Sequence, residues 1–190
     1  MAMEELEKVA AALRARGFEA TCRATREEAA AEVMRLAADA ATVGQGGSET
    51  LKQLGLPAAL AAAGKAPARR ADVDLFLLSA NALTADGRIV NVDGFGNRVA
   101  ASVNGPRRVC YVVGRNKIVA GGVDDALARV KRCACPANCR RLGKKTPCAA
   151  TGVCADCSSP DRICKVTVVF DRCPGGVAGT VVLVDEDLGY

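Results

Sequence analysis

An α/β fold with a mostly parallel sheet flanked by helices follows from three features of the chain. Stretches of helical period alternate with short apolar runs, and the run at 73–78, apolar apart from Asp74, is as expected of a strand covered on both faces. The glycine-rich loop 44–50 then separates a short strand from a helix, the order of an α/β unit. At 190 residues the chain suits one domain, 1–190, with a small insert, and half of its residues are apolar, enough for a sizeable core.

The chain opens on an amphipathic helix, with Leu6, Val9, Ala10 and Leu13 on one face and Gly17 ending the run. Thr25 followed by Glu28 makes a capping box for a second, alanine-rich helix carrying Val33 and Leu36. Residues 41–43 read as a strand, and a helix runs from the glycine-rich loop to Gly55. After the strand at 73–78, further strands are expected at 88–92 and 109–113, with Asp86-Gly87 as a tight turn. A helix over 124–131 has Val123, Leu127 and Val130 on one side, and strands at 165–170 and 180–184 finish the chain. Between these, 133–164 lacks hydrophobic period and reads as an irregular, cysteine-rich, metal-binding insert.

Composition removes several chemistries. The chain has no histidine, which excludes Ser-His and Cys-His catalysis and every histidine-containing zinc site. Glu4, Glu5, Glu7 and Lys8 stand where an export signal needs an apolar run, and no stretch is long enough to span a bilayer. A cytoplasmic protein with no membrane partner is therefore expected. Its thiols then stay reduced, which favours metal ligation over disulfides.

The most informative segment is 146–164. Cys148, Cys154, Cys157 and Cys164 are close in sequence, and Gly152 and Pro160 bend the backbone between them so that four thiolates can converge. Zinc ribbons present two C-x-x-C pairs, whereas here only Cys154 and Cys157 are so spaced; the pattern favours an iron–sulfur cluster, 4Fe–4S before other types, with zinc as the alternative. Cys133, Cys135, Cys139 and Cys173 are left as alternative ligands or a second site, and Cys22 and Cys110 as small buried hydrophobes. The net charge of +5 owes much to Arg129, Lys131, Arg132, Arg140, Arg141, Lys144 and Lys145, directly before the cysteine motif. These cations either offset thiolate charge or form a nucleic-acid patch; nucleic acid is disfavoured because the region offers no aromatic side chain for a base to stack on.

Two segments suit a ligand pocket. Gly46 and Gly47 let the backbone approach a ligand closely, and Ser48 can cap the next helix, whose free amides favour an anion. The loop matches neither the dinucleotide fingerprint nor the Walker loop, and a ligand-free turn is an equal alternative. Residues 79–98 are dense in Asn, Asp, Gly and Thr after a buried strand, where α/β sheets bind ligands, and Asp93 and Asn97 are the candidates there. Asp86, before Gly87, is assigned to a turn.

Taken together, 43–51, 79–98, the run Gly105-Pro106-Arg107-Arg108-Val109, Asn116-Lys117-Ile118-Val119, 146–164 and the closing Glu186-Asp187-Leu188-Gly189-Tyr190 resemble the lactate-utilisation (LUD) domain family over nearly the whole chain. The resemblance implies a fold similar to the sugar-phosphate isomerase and CoA-transferase superfamily, with the glycine-rich loop and the Asn/Asp-rich segment bordering a pocket for a small organic acid or other anion. It also implies participation in lactate oxidation beside iron–sulfur redox partner proteins, with Cys148, Cys154, Cys157 and Cys164 as cluster ligands and Gly46, Gly47, Ser48, Asp93 and Asn97 as pocket residues. The chain departs from the family pattern in being shorter between Leu60 and Asp72 and in carrying Cys133, Cys135 and Cys139. An electron-transfer or accessory subunit is the leading expectation. The rivals are an isomerase-like or acyl-transfer enzyme using Glu49 or Asp93 on a phosphosugar or CoA ester, and a zinc module that binds nucleic acid.

Overall fold

A computed structural model describes residues 3–66, 68 and 72–190. Among the described residues, nine strands form two sheets. Strands β1 (Glu19–Arg23), β2 (Val43–Gln45), β3 (Leu75–Leu78), β6 (Arg108–Gly114) and β9 (Ala178–Val184) make a sheet in the order β1-β9-β6-β3-β2, every neighbour parallel. Strands β4 (Ala82–Thr84), β5 (Ile89–Asp93), β7 (Ile118–Val119) and β8 (Val166–Phe170) make a smaller mixed sheet, β7-β4-β5-β8.

The parallel sheet is buried on both faces, and its residues sort by the two-residue period of a strand. Leu75, Leu77, Cys110, Val112, Val182 and Val184 pack against helices α2 (Arg26–Ala38), α3 (Glu49–Gln53) and α4 (Leu56–Ala62). Their neighbours Phe76, Leu78, Val109, Tyr111, Val113, Val181 and Leu183 face the opposite way, onto α1 (Met3–Ala15), α5 (Asn97–Val103) and the small sheet. A third cluster joins the far side of the small sheet, through Ala82 and Val90, to Ala126, Val130 and Ala134. Cys110 sits fully buried in the core, as its reading as a small hydrophobe expected, while Cys22 is half-buried on β1.

Most expected elements are present, and the departures have local causes. Thr25 caps α2 by accepting the Glu28 N–H at 3.2 Å, but the Glu28 carboxylate reaches the Ala24 N–H instead of closing a reciprocal box on Thr25. The helix expected to stop at Gly55 does pause there, in the left-handed region, and resumes as α4 with Pro57 in its first turn. Asp86-Gly87 does turn the β4–β5 hairpin, with the Thr84 hydroxyl donating to the Asp86 carboxylate. The stretch noted as short includes residues 67 and 69–71, which lie outside the described residues.

The largest difference falls in 133–164, which is only partly irregular. Helix α6 (Val123–Arg129) passes through a π segment, Val130–Ala134, straight into α7 (Cys135–Arg141); α8 (Pro147–Thr151) follows, and only 142–146 and 152–165 are without regular structure. Pro136 looks like a helix terminator because its ring meets the carbonyl of the preceding turn. The π segment widens that turn, with the Cys135 N–H bonding to the Val130 carbonyl, and the helix continues through the proline.

Candidate functional site

Strands β2, β3, β6 and β9 end on one side of the parallel sheet, and the chain leaving them surrounds a cavity of about 470 Å³. Gly47, Ser48 and Thr50 reach it after β2, Ser79 and Asn81 after β3, Lys117 after β6, and Gly189 and Tyr190 after β9. Asp93, Asn97 and Arg98 supply the wall where β5 turns into α5, while Asn138 and Arg141 of α7 and Lys144 close the remaining side.

Four of the five expected pocket residues thus line this cavity, Gly47, Ser48, Asp93 and Asn97. Ser48 accepts the Leu51 N–H at 3.3 Å and starts α3. Asp93 is buried, and its oxygens accept the Phe95 N–H at 3.2 Å and the Arg98 N–H at 3.0 Å. Its carboxylate also stands 3.6 Å from Arg98 Nε. Asp93 therefore caps α5 and holds Arg98, which commits its lone pairs. Asn97 is exposed at the start of α5. The fifth, Gly46, lies off the cavity wall and beneath the Arg98 side chain.

Sequence reasoning missed Lys117, Arg98 and the tail as parts of the site. Lys117 is only 3% exposed, with Nζ 2.7 Å from Thr50 Oγ1 and 2.9 Å from Ser79 Oγ. Burial, reinforced by the positive charges of Arg129 and Arg98, pushes its amine from the ordinary 10.5 down to about 7. Arg98 threads between Asn81 and Val92, donating to the Val92 carbonyl at 2.6 Å. The tail is pinned by Leu188 N–H to Asn116 Oδ1 at 3.1 Å and by Gly189 N–H to Gln53 Oε1 at 2.7 Å. The Tyr190 hydroxyl accepts from Arg141 Nε at 2.7 Å and donates to Asn138 Oδ1 at 2.8 Å, which fastens the tail to α7. The available signal was position: each of these residues follows the carboxyl end of a parallel strand or belongs to the motifs noted above.

The cysteines gather on the other side of α7. Cys135 and Cys139, one helical turn apart, meet Cys164 and Cys148 respectively; Cys164 also lies within electrostatic reach of Cys139, and Cys154 of Cys135. Burial and then these neighbouring sulfurs push the Cys135 thiol up to about 12, and burial likewise raises that of Cys139, against a hydrogen bond from Thr146. Of the four expected ligands, Cys148 and Cys164 enter these contacts directly, and they meet the cysteines that had no assigned role. Cys157 presents its carbonyl to Arg162 Nη1 at 2.7 Å. Among the described residues, no group of three or more cysteine or carboxylate side chains stands in a metal-holding arrangement; the thiols meet as two pairs. Cys133 is exposed, and Cys173 packs far from this group, beside Gly17 and Gly179.

Three of the seven residues of the basic run are engaged within the fold. Arg129 is buried and donates to the Asn116 and Asn81 carbonyls, Arg140 donates to the Ala149 carbonyl, and Arg141 faces Glu49 at 3.3 Å as well as Tyr190.

The model of the LUD domain family matches residues 6–184. The chain belongs to the LUD domain family. A crystal structure of a DUF162 family protein from Deinococcus radiodurans superposes with a TM-score of 0.57 at 17% identity, covering 96% of this chain and 97% of that one, a likeness that speaks to the fold. No curated protein matches the chain. This LUD domain therefore combines a mostly parallel α/β sheet, a polar cavity at the strand ends and a thiol-rich helix beside it. Among its described residues, no helix is long and apolar enough to cross a membrane.

Proposed function

We propose that this LUD domain takes part in the oxidation of lactate or a related small organic acid, as an electron-transfer or accessory subunit that holds a cysteine-ligated iron–sulfur cluster. One observation carries the reading: α7 serves both halves of the site. It offers Cys135 and Cys139 to the thiol group and Asn138 and Arg141 to the cavity, so ligand and thiols share one rigid element.

The donor set is all sulfur and contains no histidine, which suits an iron–sulfur cluster; the thiols stand as two pairs, Cys135 with Cys164 and Cys139 with Cys148, which would have to draw together to hold it, with Cys154 in reserve. When bound, such a cluster supplies single-electron transfer. The chain itself seats the acid: Arg98 is held by Asp93 and the Val92 carbonyl, and Lys144 adds a positive charge to the wall. Glu49 is already paired with Lys52 and Arg141, so the cavity favours an anion.

The test is anaerobic purification followed by iron, sulfide and zinc analysis with an absorption spectrum. Iron and acid-labile sulfide in stoichiometric amount, with a spectrum that responds to a redox partner, is the expected result. Stoichiometric zinc without iron would leave a structural site and overturn the electron-transfer reading.

A further inference from the structure

We propose that Lys117 is a reactive amine that condenses with the carbonyl carbon of a small 2-oxo acid and holds it in the cavity as an imine. The inference names the ligand chemistry of the cavity just described, resting on the organic-acid half of the proposed function and not on the thiols.

The hydrogen bonds around Nζ fix where its lone pair goes. Each hydroxyl beside it has a single proton, and both protons are placed elsewhere: Thr50 Oγ1 donates to the Leu188 carbonyl at 3.2 Å, and Ser79 Oγ donates to the Val112 carbonyl at 2.6 Å. Both oxygens therefore accept from Nζ, at 2.7 and 2.9 Å. A neutral amine has two N–H bonds, and these two acceptors use both. The remaining tetrahedral position carries the lone pair, and Lys117 is one of the residues that line the cavity. Gly189 closes the far side of the amine: its φ is +63°, and a Cβ there would lie 2.6 Å from Thr50 Oγ1 and 3.2 Å from Nζ.

The surroundings favour the uncharged form. Among the described residues, no carboxylate pairs with Nζ, and the charged groups that act on it are Arg129 and Arg98, both positive. A lysine so buried titrates near neutrality, which is how proteins make the amine nucleophilic. The same cavity selects the partner carbonyl. Its two acids, Glu49 and Asp93, face four cations, Lys52, Arg98, Arg141 and Lys144, which leaves surplus positive charge for a carboxylate beside the carbonyl.

The reaction balances without an oxidant or reductant. The Nζ lone pair forms a bond to the carbonyl carbon, the carbon–oxygen double bond breaks, and both amine protons leave with that oxygen as water. Thr50 and Ser79, which accept those N–H bonds in the free protein, are placed to pass the protons on.

The experiment uses the full chain, pyruvate as the probe and sodium borohydride to reduce any imine to a stable secondary amine, followed by peptide mass mapping. The expected result is a saturable carboxyethyl adduct on Lys117, absent from Lys117→Met, which removes the amine without adding a buried charge, with Lys8 and Lys52 unlabelled. An adduct missing from Lys117, or spread evenly over the exposed lysines, overturns the proposal. The same trapping in a Cys135→Ser, Cys164→Ser variant separates the two readings: labelling that persists without metal leaves the imine standing even where the cluster fails.

Discussion

Gly46 lies directly beneath Arg98, and a Cβ on Gly46 would stand 2.5 Å from Arg98 Cγ and 2.7 Å from Cδ. The glycine-rich loop thus serves this LUD domain by letting an arginine cross the floor of the cavity, where its Nη2 bonds the Val92 carbonyl. In Gly46→Ala the arginine must leave that path. The expected cost is about 1–3 kcal/mol of stability together with weaker binding of small carboxylates. Chemical denaturation of both single variants and the double variant checks it. In an Arg98→Ala background the Gly46→Ala cost should largely vanish, because the two residues act through one contact.

Gly87 makes a second close approach, this time for the fold. At φ +87° it turns the β4–β5 hairpin, and a Cβ there would meet the Ala12 carbonyl carbon at 2.8 Å and the Leu13 nitrogen at 2.9 Å. Backbone cannot swing aside as a side chain can. Gly87→Ala should therefore cost about 2–3 kcal/mol or more, combining left-handed strain with a clash against α1. Gly64 is the control: its φ is +71° but no atom lies within 4 Å of its Cβ position, so Gly64→Ala should cost only about 1–2 kcal/mol. Equal melting-temperature losses in the two variants would contradict this account.

Where the sequence could be read, a residue's partners lay nearby in the chain or its pattern was periodic. The run at 75–78, the face Leu6, Val9, Ala10, Leu13 and the caps at Thr25 and Ser48 all announce themselves locally. Strand β1 was invisible because Glu19–Arg23 buries only Ala20 fully and owes its place to pairing with β9. Helix α5 lacks a side-chain cap at Gly96, and the amide of Arg98 is satisfied by Asp93, five residues back. Lys117 has no role legible in its own segment because its meaning depends on Thr50 and Ser79, which are 67 and 38 residues distant. The pairing of Cys135 and Cys139 with Cys164 and Cys148 depends on a helix that continues through Pro136, against the ordinary reading of proline.

The amine of Lys117 couples stability to pH with a definite sign. Folding lowers its value from 10.5 to about 7, so between these limits the unfolded chain holds a proton that the folded chain does not. Stability therefore rises with pH through that window and loses this contribution as pH falls toward 7. Lys117→Met removes the titration. The variant should gain on the parent as pH falls from about 10.5 to 7, and the difference should level off below 7. Urea denaturation of both proteins across this range tests it, and a difference independent of pH would show that the amine stays charged in the fold.

Metal retention distinguishes the thiols that face one another from those that are merely adjacent in sequence. Cys135 and Cys139 project from one side of α7 onto Cys164 and Cys148, whereas Cys157, inside the C-x-x-C pair, has its carbonyl engaged by Arg162. If the helix supplies half of the ligands, a Cys135→Ser, Cys139→Ser variant purified anaerobically should lose most of its bound metal, while Cys157→Ser keeps most of it. Because a bound metal stabilises the native state, the first variant should also melt at a lower temperature, and added iron and sulfide should not restore it. Helix α7 carries Asn138 and Arg141 as well, so loosening it should weaken carboxylate binding in the same variant. The opposite pattern, with metal lost from Cys157→Ser and retained without Cys135 and Cys139, would return the ligand set to the 148–164 segment and leave the helix cysteines as packing.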